Sequence, residues 1–164
     1  MSGATPVSGG DIAHAYRLDT AAGPLFLKCH PNPKPDLFAR EATGLRMLRA
    51  HASDALRVPE VLRESPNGLV LEWIEVGSRT SASERDLGVG LALLHRTTHE
   101  TFGSLDDNLA GYLGSAEVDL TPTADWPTFF VHRRVAPLID RAIDLGELDP
   151  AARQILADLA PRSA

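Results

Sequence analysis

The chain has one cysteine, Cys29, so no disulfide can close within it, which fits a reducing compartment. It also lacks an apolar run approaching the ~20 residues that a membrane-spanning helix requires. Its first residues, MSGATPVSGG, lack the basic-then-apolar order of a secretory signal. The expectation is a cytoplasmic protein with no membrane partner. Positive charge is scarce: 16 Lys and Arg stand against 22 Asp and Glu, a net charge of −6, and the arginines are dispersed rather than gathered in a stripe. Binding a phosphate backbone needs a basic surface, so a nucleic-acid partner is excluded. There is no internal repeat, low-complexity tract, Gly-x-Ser-x-Gly, Walker loop or Cys-x-x-Cys, which removes the hydrolase-elbow, P-loop and dithiol readings. Cys29 reads more readily as a small core hydrophobe than as a reactive thiol.

What remains is a chain of 164 residues, 43% hydrophobic and 23% charged, enough for one ordinary domain or two small lobes. The N-terminal third reads as sheet. Ser8-Gly9-Gly10-Asp11 is a turn signal, followed by a strand over 14–19. Thr20 to Gly23 turns the chain into a second strand, 24–30. HPNPKPD is a proline-punctuated connector, and Asp36 is a candidate cap for a helix to about Ala50. An edge strand over 58–64, a Ser65-Pro66-Asn67-Gly68 turn and an apolar strand over 69–74 complete a β-β-α-β-β order. After Gly77 the pattern becomes helical: 83–98, then a Gly/Asp/Asn/Pro-rich loop over 101–123. A long helix over 126–145, bent at Pro137, and a short one over 150–159 with Asp149 as cap follow.

Two charges interrupt this pattern. Lys28 lies inside the apolar run LFLKC, on one strand face with Phe26 and His30. On a helical wheel at about 100° per residue, Glu41 falls between Leu37 and Leu48 on one side and Leu45 and Phe38 on the other. A carboxylate there needs a cation, and Lys28 is the natural partner if the helix covers its strand face. Such a pair could be purely structural, or Glu41 could reach out to solvent. The order glycine-bearing turn, strand Lys, helix Glu is also the one that holds nucleotide phosphates in the protein-kinase fold.

SGGDIAHAYRL, FLKCH, LFAREATGLRML, RVPEVL and LVLEWIEVGS, continued by LALLHRTTHETFGSLDDNLAGYLGS and DWPTFFVHRRVAPLI, together resemble the fructosamine-3-kinase (ketosamine kinase) family, a branch of the aminoglycoside-phosphotransferase-like kinases. The resemblance spans residues 7–160. It implies an α+β, protein-kinase-like fold: an antiparallel-sheet N-lobe with one helix over 1–76, then a hinge and the first helices of a helical C-lobe over 77–164. Gly9, Gly10, Asp11 and Ile12 would stand in the nucleotide-covering loop, Lys28 at the phosphate-binding lysine and Glu41 at its helix partner. Glu72, Trp73 and Ile74 would stand at the hinge, with the Glu72 carbonyl and the Ile74 amide facing adenine. Gly103, Asp107 and Asn108 match a loop with a structural or substrate-side role, and Trp126, Phe129, Phe130, Arg133 and Arg134 match a helix of the large lobe. Ala13-His14 departs from the Asn-Gln often found there.

The implied activity is ATP-dependent phosphorylation of a sugar hydroxyl on a glycated amine, with ATP and Mg²⁺ as cofactors. The family's His-Gly-Asp loop, the Asn after it and its metal-binding Asp have no counterpart here. With no base and no Mg²⁺ ligands, the chain is expected to be catalytically silent, a fragment or truncated product. Two alternatives remain: a stand-alone, pseudokinase-like nucleotide-binding module that dimerises through exposed C-lobe helices, and a kinase of aminoglycoside or choline type. His95 and His99 have the i, i+4 spacing of metal ligands, with Glu100 adjacent but no Cys or third His at a supporting distance, and His95 reads more readily as a packing and hydrogen-bonding residue than as a ligand. His132-Arg133-Arg134 reads as a solvated face or a phosphate contact. Trp73 reads as a hinge wall or as core.

Overall fold

The computed structural model describes residues 3–8, 12–104 and 106–159. By internal contacts the chain forms two compact units, Met1–Thr98 and His99–Ala164.

The first unit is built on a five-stranded antiparallel sheet. Its strands are β1 (Gly3–Val7), β2 (His14–Thr20), β3 (Gly23–Cys29), β4 (Val61–Ser65) and β5 (Gly68–Glu72), in the spatial order β1-β2-β3-β5-β4. The expected β2–β3 hairpin is present. Thr20 closes its turn by donating its hydroxyl to the Gly23 carbonyl at 2.7 Å and accepting from the Ala22 amide at 3.2 Å. β1 is an addition that the short, proline-containing GATPV run does not signal. β4 begins at Val61 rather than at 58, and β5 stops at Glu72 rather than at 74. Gly68 lies where β5 meets β3 closely: a Cβ there would sit 2.9 Å from the Lys28 carbonyl oxygen.

Helix α1 (Leu37–His51) covers one face of this sheet. Phe38 and Ala42, four residues apart and fully buried, pack with Ala13, Leu69 and Leu71, while Phe26, Leu37, Leu45 and Val61 close the edges. The cap expected from Asp36 does not form. Its backbone is left-handed, with φ 56°, and its side chain makes no capping hydrogen bond. Helix α2 (Ser81–Leu94) starts at a capping box, in which Thr80 and Ser83 each bond the other's backbone amide at 3.1 and 2.9 Å. Its Gly90 approaches Ala55 and Leu56, where a Cβ would meet the Leu56 Cβ at 2.8 Å.

The second unit corrects the reading of 101–123 as loop. Strands β6 (Ala110–Leu113) and β7 (Ala116–Asp119) form a hairpin, and Phe102 bridges Thr123. Four-residue strands among Gly, Asp and Asn fall below the length at which alternation is readable. The long helix expected over 126–145 is two elements: a π-helix, Thr128–Val135, and α3, Ala136–Asp144. Pro137 offers no N–H and crowds the carbonyl four residues back, so the wider winding lies where the chain must accommodate it. Asp125 accepts from the Thr128 amide at 2.7 Å at its start. Helix α4 (Ala152–Leu159) follows Asp149, which accepts from the Ala151 amide at 2.7 Å. Among the described residues no helix is long and apolar enough to cross a membrane.

Candidate functional site

Strand register fixes where Lys28 stands. Val7 pairs with Ala15, Ala15 with Lys28, and Lys28 with Leu69. The β1–β2 connection, residues 8–13, therefore leaves the sheet at the same end as Lys28. Gly9, Gly10 and Asp11 belong to that connection and lie outside the described residues. Ile12 is exposed, and Ala13 beside it is buried against Phe38 and Ala42. At the other end of β3, Leu25 pairs with Glu72, three residues or about 10 Å from the Lys28 row at ~3.4 Å per residue. The end of the sheet where the β1–β2 connection leaves it and the end that carries Glu72 are thus about 10 Å apart along β3.

Helix α1 brings Glu41 to Lys28. The ammonium donates to both carboxylate oxygens, at 2.9 and 2.8 Å. The helical wheel placed Glu41 at the centre of the buried stripe, and the structure corrects this. The stripe is centred on Phe38 and Ala42, Leu48 faces solvent, and the Lys28 and Glu41 side chains are 33% and 30% exposed. A pair so placed is about one third in water. Its net contribution belongs with the ~0.2–1 kcal/mol of surface pairs rather than the ~3–5 kcal/mol lost on breaking a buried one.

The Glu72 end is held by side chains that spacing did not reveal. Glu72 accepts from Arg57 and from the Glu60 amide at 3.2 Å, and its Oε2 lies 3.6 Å from the Arg49 guanidinium. Its own amide donates to the Glu60 carbonyl at 2.9 Å. The Arg57 hydrogen bond, the Glu60 amide and the two guanidinium charges hold the Glu72 carboxyl below the usual glutamate range. Arg49 also donates to the Val58 carbonyl at 2.6 Å and lies 3.7 Å from Glu60. Arginines 23 and 15 residues before Glu72 carry no short-range signal of this convergence.

Trp73 follows directly. Its ring packs against Phe26 with centroids 6.4 Å apart, and the Arg17 guanidinium lies 5.2 Å from its centroid. The indole Nε1 is buried without a hydrogen-bond partner among the described residues. Ile74 is half-buried, and residues 73–80 carry no regular structure, as a connector requires.

In the second unit Gly103, Ser104 and residues 106–108 form a turn lock. Ser104, which sequence reading passed over, is buried. It donates to the Asn108 carbonyl at 2.7 Å and lies 2.9 Å from Asp106, whose Oδ1 accepts from the Asn108 amide at 3.0 Å. Gly103 has φ +125°, and a Cβ on it would stand 2.6 Å from the Leu120 carbonyl oxygen. Arg133 bonds the Thr121 carbonyl and faces Asp119 at 3.8 Å, while Arg134 lies over Phe129. Hydrogen bonds from Thr121, and then the Arg133 charge, hold Asp119 below its usual range. Trp126, Phe129 and Phe130 form an aromatic cluster with Phe102, Trp126 and Phe130 being stacked at 4.9 Å. His95 caps the end of α2 and His99 lies beyond it, so the two do not share a helix face. Among the described residues no group of three His, Cys, Asp or Glu could hold a metal ion.

The chain matches the fructosamine kinase family model over residues 1–163. It is 40% identical over 141 residues to a "Probable ketoamine kinase" of Enterococcus faecium, covering 84% of this chain and 47% of that protein. It is 32% identical over 166 residues to a "Probable ketoamine kinase" of Staphylococcus aureus, covering 94% and 56%. The crystal structure of a "putative fructosamine-3-kinase" from Thermobifida fusca superposes with a TM-score of 0.84 at 30% identity, covering 98% of this chain and 55% of that one. The chain thus spans about half the length of the relatives it matches. With its antiparallel sheet, single covering helix and kinase-like fold, the chain belongs to the fructosamine kinase family.

Proposed function

We propose that Lys28, held by Glu41, grips the phosphates of ATP, and that residues 1–76 act as the nucleotide-binding lobe of a ketosamine kinase, with the hinge and the start of a helical lobe following over 77–164. The observation that carries this reading is the ammonium bonded to both Glu41 oxygens at the end of the sheet where the β1–β2 connection leaves it. A partly exposed ammonium fixed by one carboxylate retains donor capacity for a phosphate oxygen. Gly9, Gly10, Asp11 and Ile12 would cover the phosphates. The backbone of Glu72 and Ile74, beside Trp73, would face adenine. ATP supplies the phosphoryl group when bound, and the acceptor class is a sugar hydroxyl on a glycated amine, in the cytoplasm. No residue of these 164 is assigned to Mg²⁺ or to the base, so this chain alone is expected to bind nucleotide without transferring phosphate. A thermal-shift titration with ATP and Mg²⁺ tests the grip: Lys28→Ala should lose the ATP-dependent shift, and equal shifts in both proteins would sink the role of Lys28. Formation of a phosphorylated product from glycated lysine by this chain would contradict its silence.

The exposed apolar side chains of α2, Leu87, Val89, Leu91 and Leu93, favour a second reading, in which the chain pairs with another copy through its helices. Light scattering distinguishes it: a monomeric mass at micromolar concentration removes this reading.

A further inference from the structure

The packing of α1 against the buried core cluster reaches Leu45. Phe38 and Ala42 are buried and Leu37 and Leu45 partly so, whereas Leu48, Arg49, Ala50 and His51 are exposed. Beyond Leu45 only Met47 among the apolar side chains is partly buried, and ions hold the helix as well: Arg46 to Glu64 on β4 at 2.8 Å, and Arg49 to the Val58 carbonyl, Glu60 and Glu72. Glu72 is itself fixed by Arg57 and the Glu60 amide. Arg49 stands eight residues, about 12 Å, along the helix from Glu41 at ~1.5 Å per residue. A rigid helix transmits a pivot at one end to the other, so whatever fixes Arg49 also fixes where the Glu41 carboxylate meets Lys28.

We infer that Arg49, clamped by Glu72, Glu60 and the Val58 carbonyl at the end of β5, is a positioning residue that presets α1 and thereby the Lys28–Glu41 pair. Its link to nucleotide binding rests on the reading proposed above; its link to Lys28 does not. The clamp joins the strand that leads into the hinge to the helix that carries Glu41, so the two ends of the site are set together. Arginine suits the place because its planar fork reaches a carbonyl and two carboxylates at once, which a single ammonium cannot match.

Lys28 and Lys34 are the only lysines in the chain, and Lys34 is exposed. Acetylation by an N-hydroxysuccinimide ester, read by peptide mass spectrometry, therefore reports Lys28 with Lys34 as internal reference. In the free protein Glu41→Gln should raise the Lys28/Lys34 ratio most. Arg49→Met should raise it by less than Glu41→Gln does, at most about fivefold, the factor that complete loss of a ~1 kcal/mol ion pair supplies, and Arg49→Lys should raise it less still. Glu72→Gln is the second route to the same release should Arg49→Met fold poorly. Arg79→Ala, which breaks the separate pair with Glu84, should leave it unchanged. The inference is overturned if Arg49→Met and Glu72→Gln keep the wild-type ratio while Glu41→Gln raises it, or if Arg79→Ala raises it equally. A wild-type ratio in Glu41→Gln itself also overturns it, since Lys28 would then not be held by that carboxylate. Adding ATP separates the two ideas: without ATP protection of wild-type Lys28 the nucleotide reading falls, while the response to Arg49→Met still decides the clamp.

Discussion

Lys28→Ala separates a structural pair from a binding one, because the two roles put the larger loss in different measurements. The side chains are 33% and 30% exposed, so Glu41 rehydrates when its partner is removed. The stability lost should be about 0.2–1 kcal/mol, a fall in Tm of no more than about 4 °C for a chain of this size. A phosphate oxygen that loses a charge-assisted hydrogen bond loses about 1.5–3 kcal/mol, which is about 10- to 150-fold in Kd. Urea unfolding gives the first quantity and isothermal titration with ATP the second. A stability loss of 3 kcal/mol or more with unchanged ATP affinity would refute the reasoning and return the pair to the core. Glu41→Gln should fall between, keeping the shape and one hydrogen bond while freeing the ammonium to move.

Four further outcomes follow from the packing and the charges. Phe38→Ala empties a fully buried site under α1 and should cost about 3–5 kcal/mol in urea unfolding, whereas a loss under 1 kcal/mol would mean that the helix does not pack there. Gly103→Ala forces a Cβ onto the Leu120 carbonyl at φ +125° and should cost about 1–3 kcal/mol, with a neutral result excluding that turn. Thr80→Ala removes a capping box and should cost about 1 kcal/mol, seen as lost helicity by circular dichroism. Glu72 is held below its ordinary value of 4.5 by Arg57, the Glu60 amide and Arg49, so its contribution is complete above that value and fades as pH falls through the lowered one. The Tm gap between wild type and Glu72→Gln should therefore be widest near neutral pH and close in acid; a gap that widens in acid would reverse the assignment.

The parts of the fold legible in the sequence were those with long, regular signals. Phe26, Lys28, Phe38 and Glu41 sit on elements of seven and fifteen residues, where face and partner follow from period. The pairing of Lys28 with Glu41 was readable because each charge interrupted an apolar pattern. Its partial exposure was not, since the wheel gives angles but not which angle the sheet covers, and Phe38 and Ala42 took that place. β1 and the β6–β7 hairpin escaped because strands of four or five residues among Gly, Pro and Asp fall below any period. The widened helix before Pro137 depends on backbone crowding that composition does not express. Arg49, Arg57 and Glu72 converge through tertiary folding over a loop, and nothing within a short window links them. Ser104 is a lone small polar residue whose value comes entirely from burial.

The most direct test is a crystal structure of this chain with ATP. The expected result is a phosphate oxygen about 2.7–3.2 Å from the Lys28 Nζ, with Glu41 still holding the ammonium and adenine beside Glu72 to Ile74. A nucleotide bound elsewhere, or a Lys28 side chain turned away from its phosphates, would contradict the proposed grip.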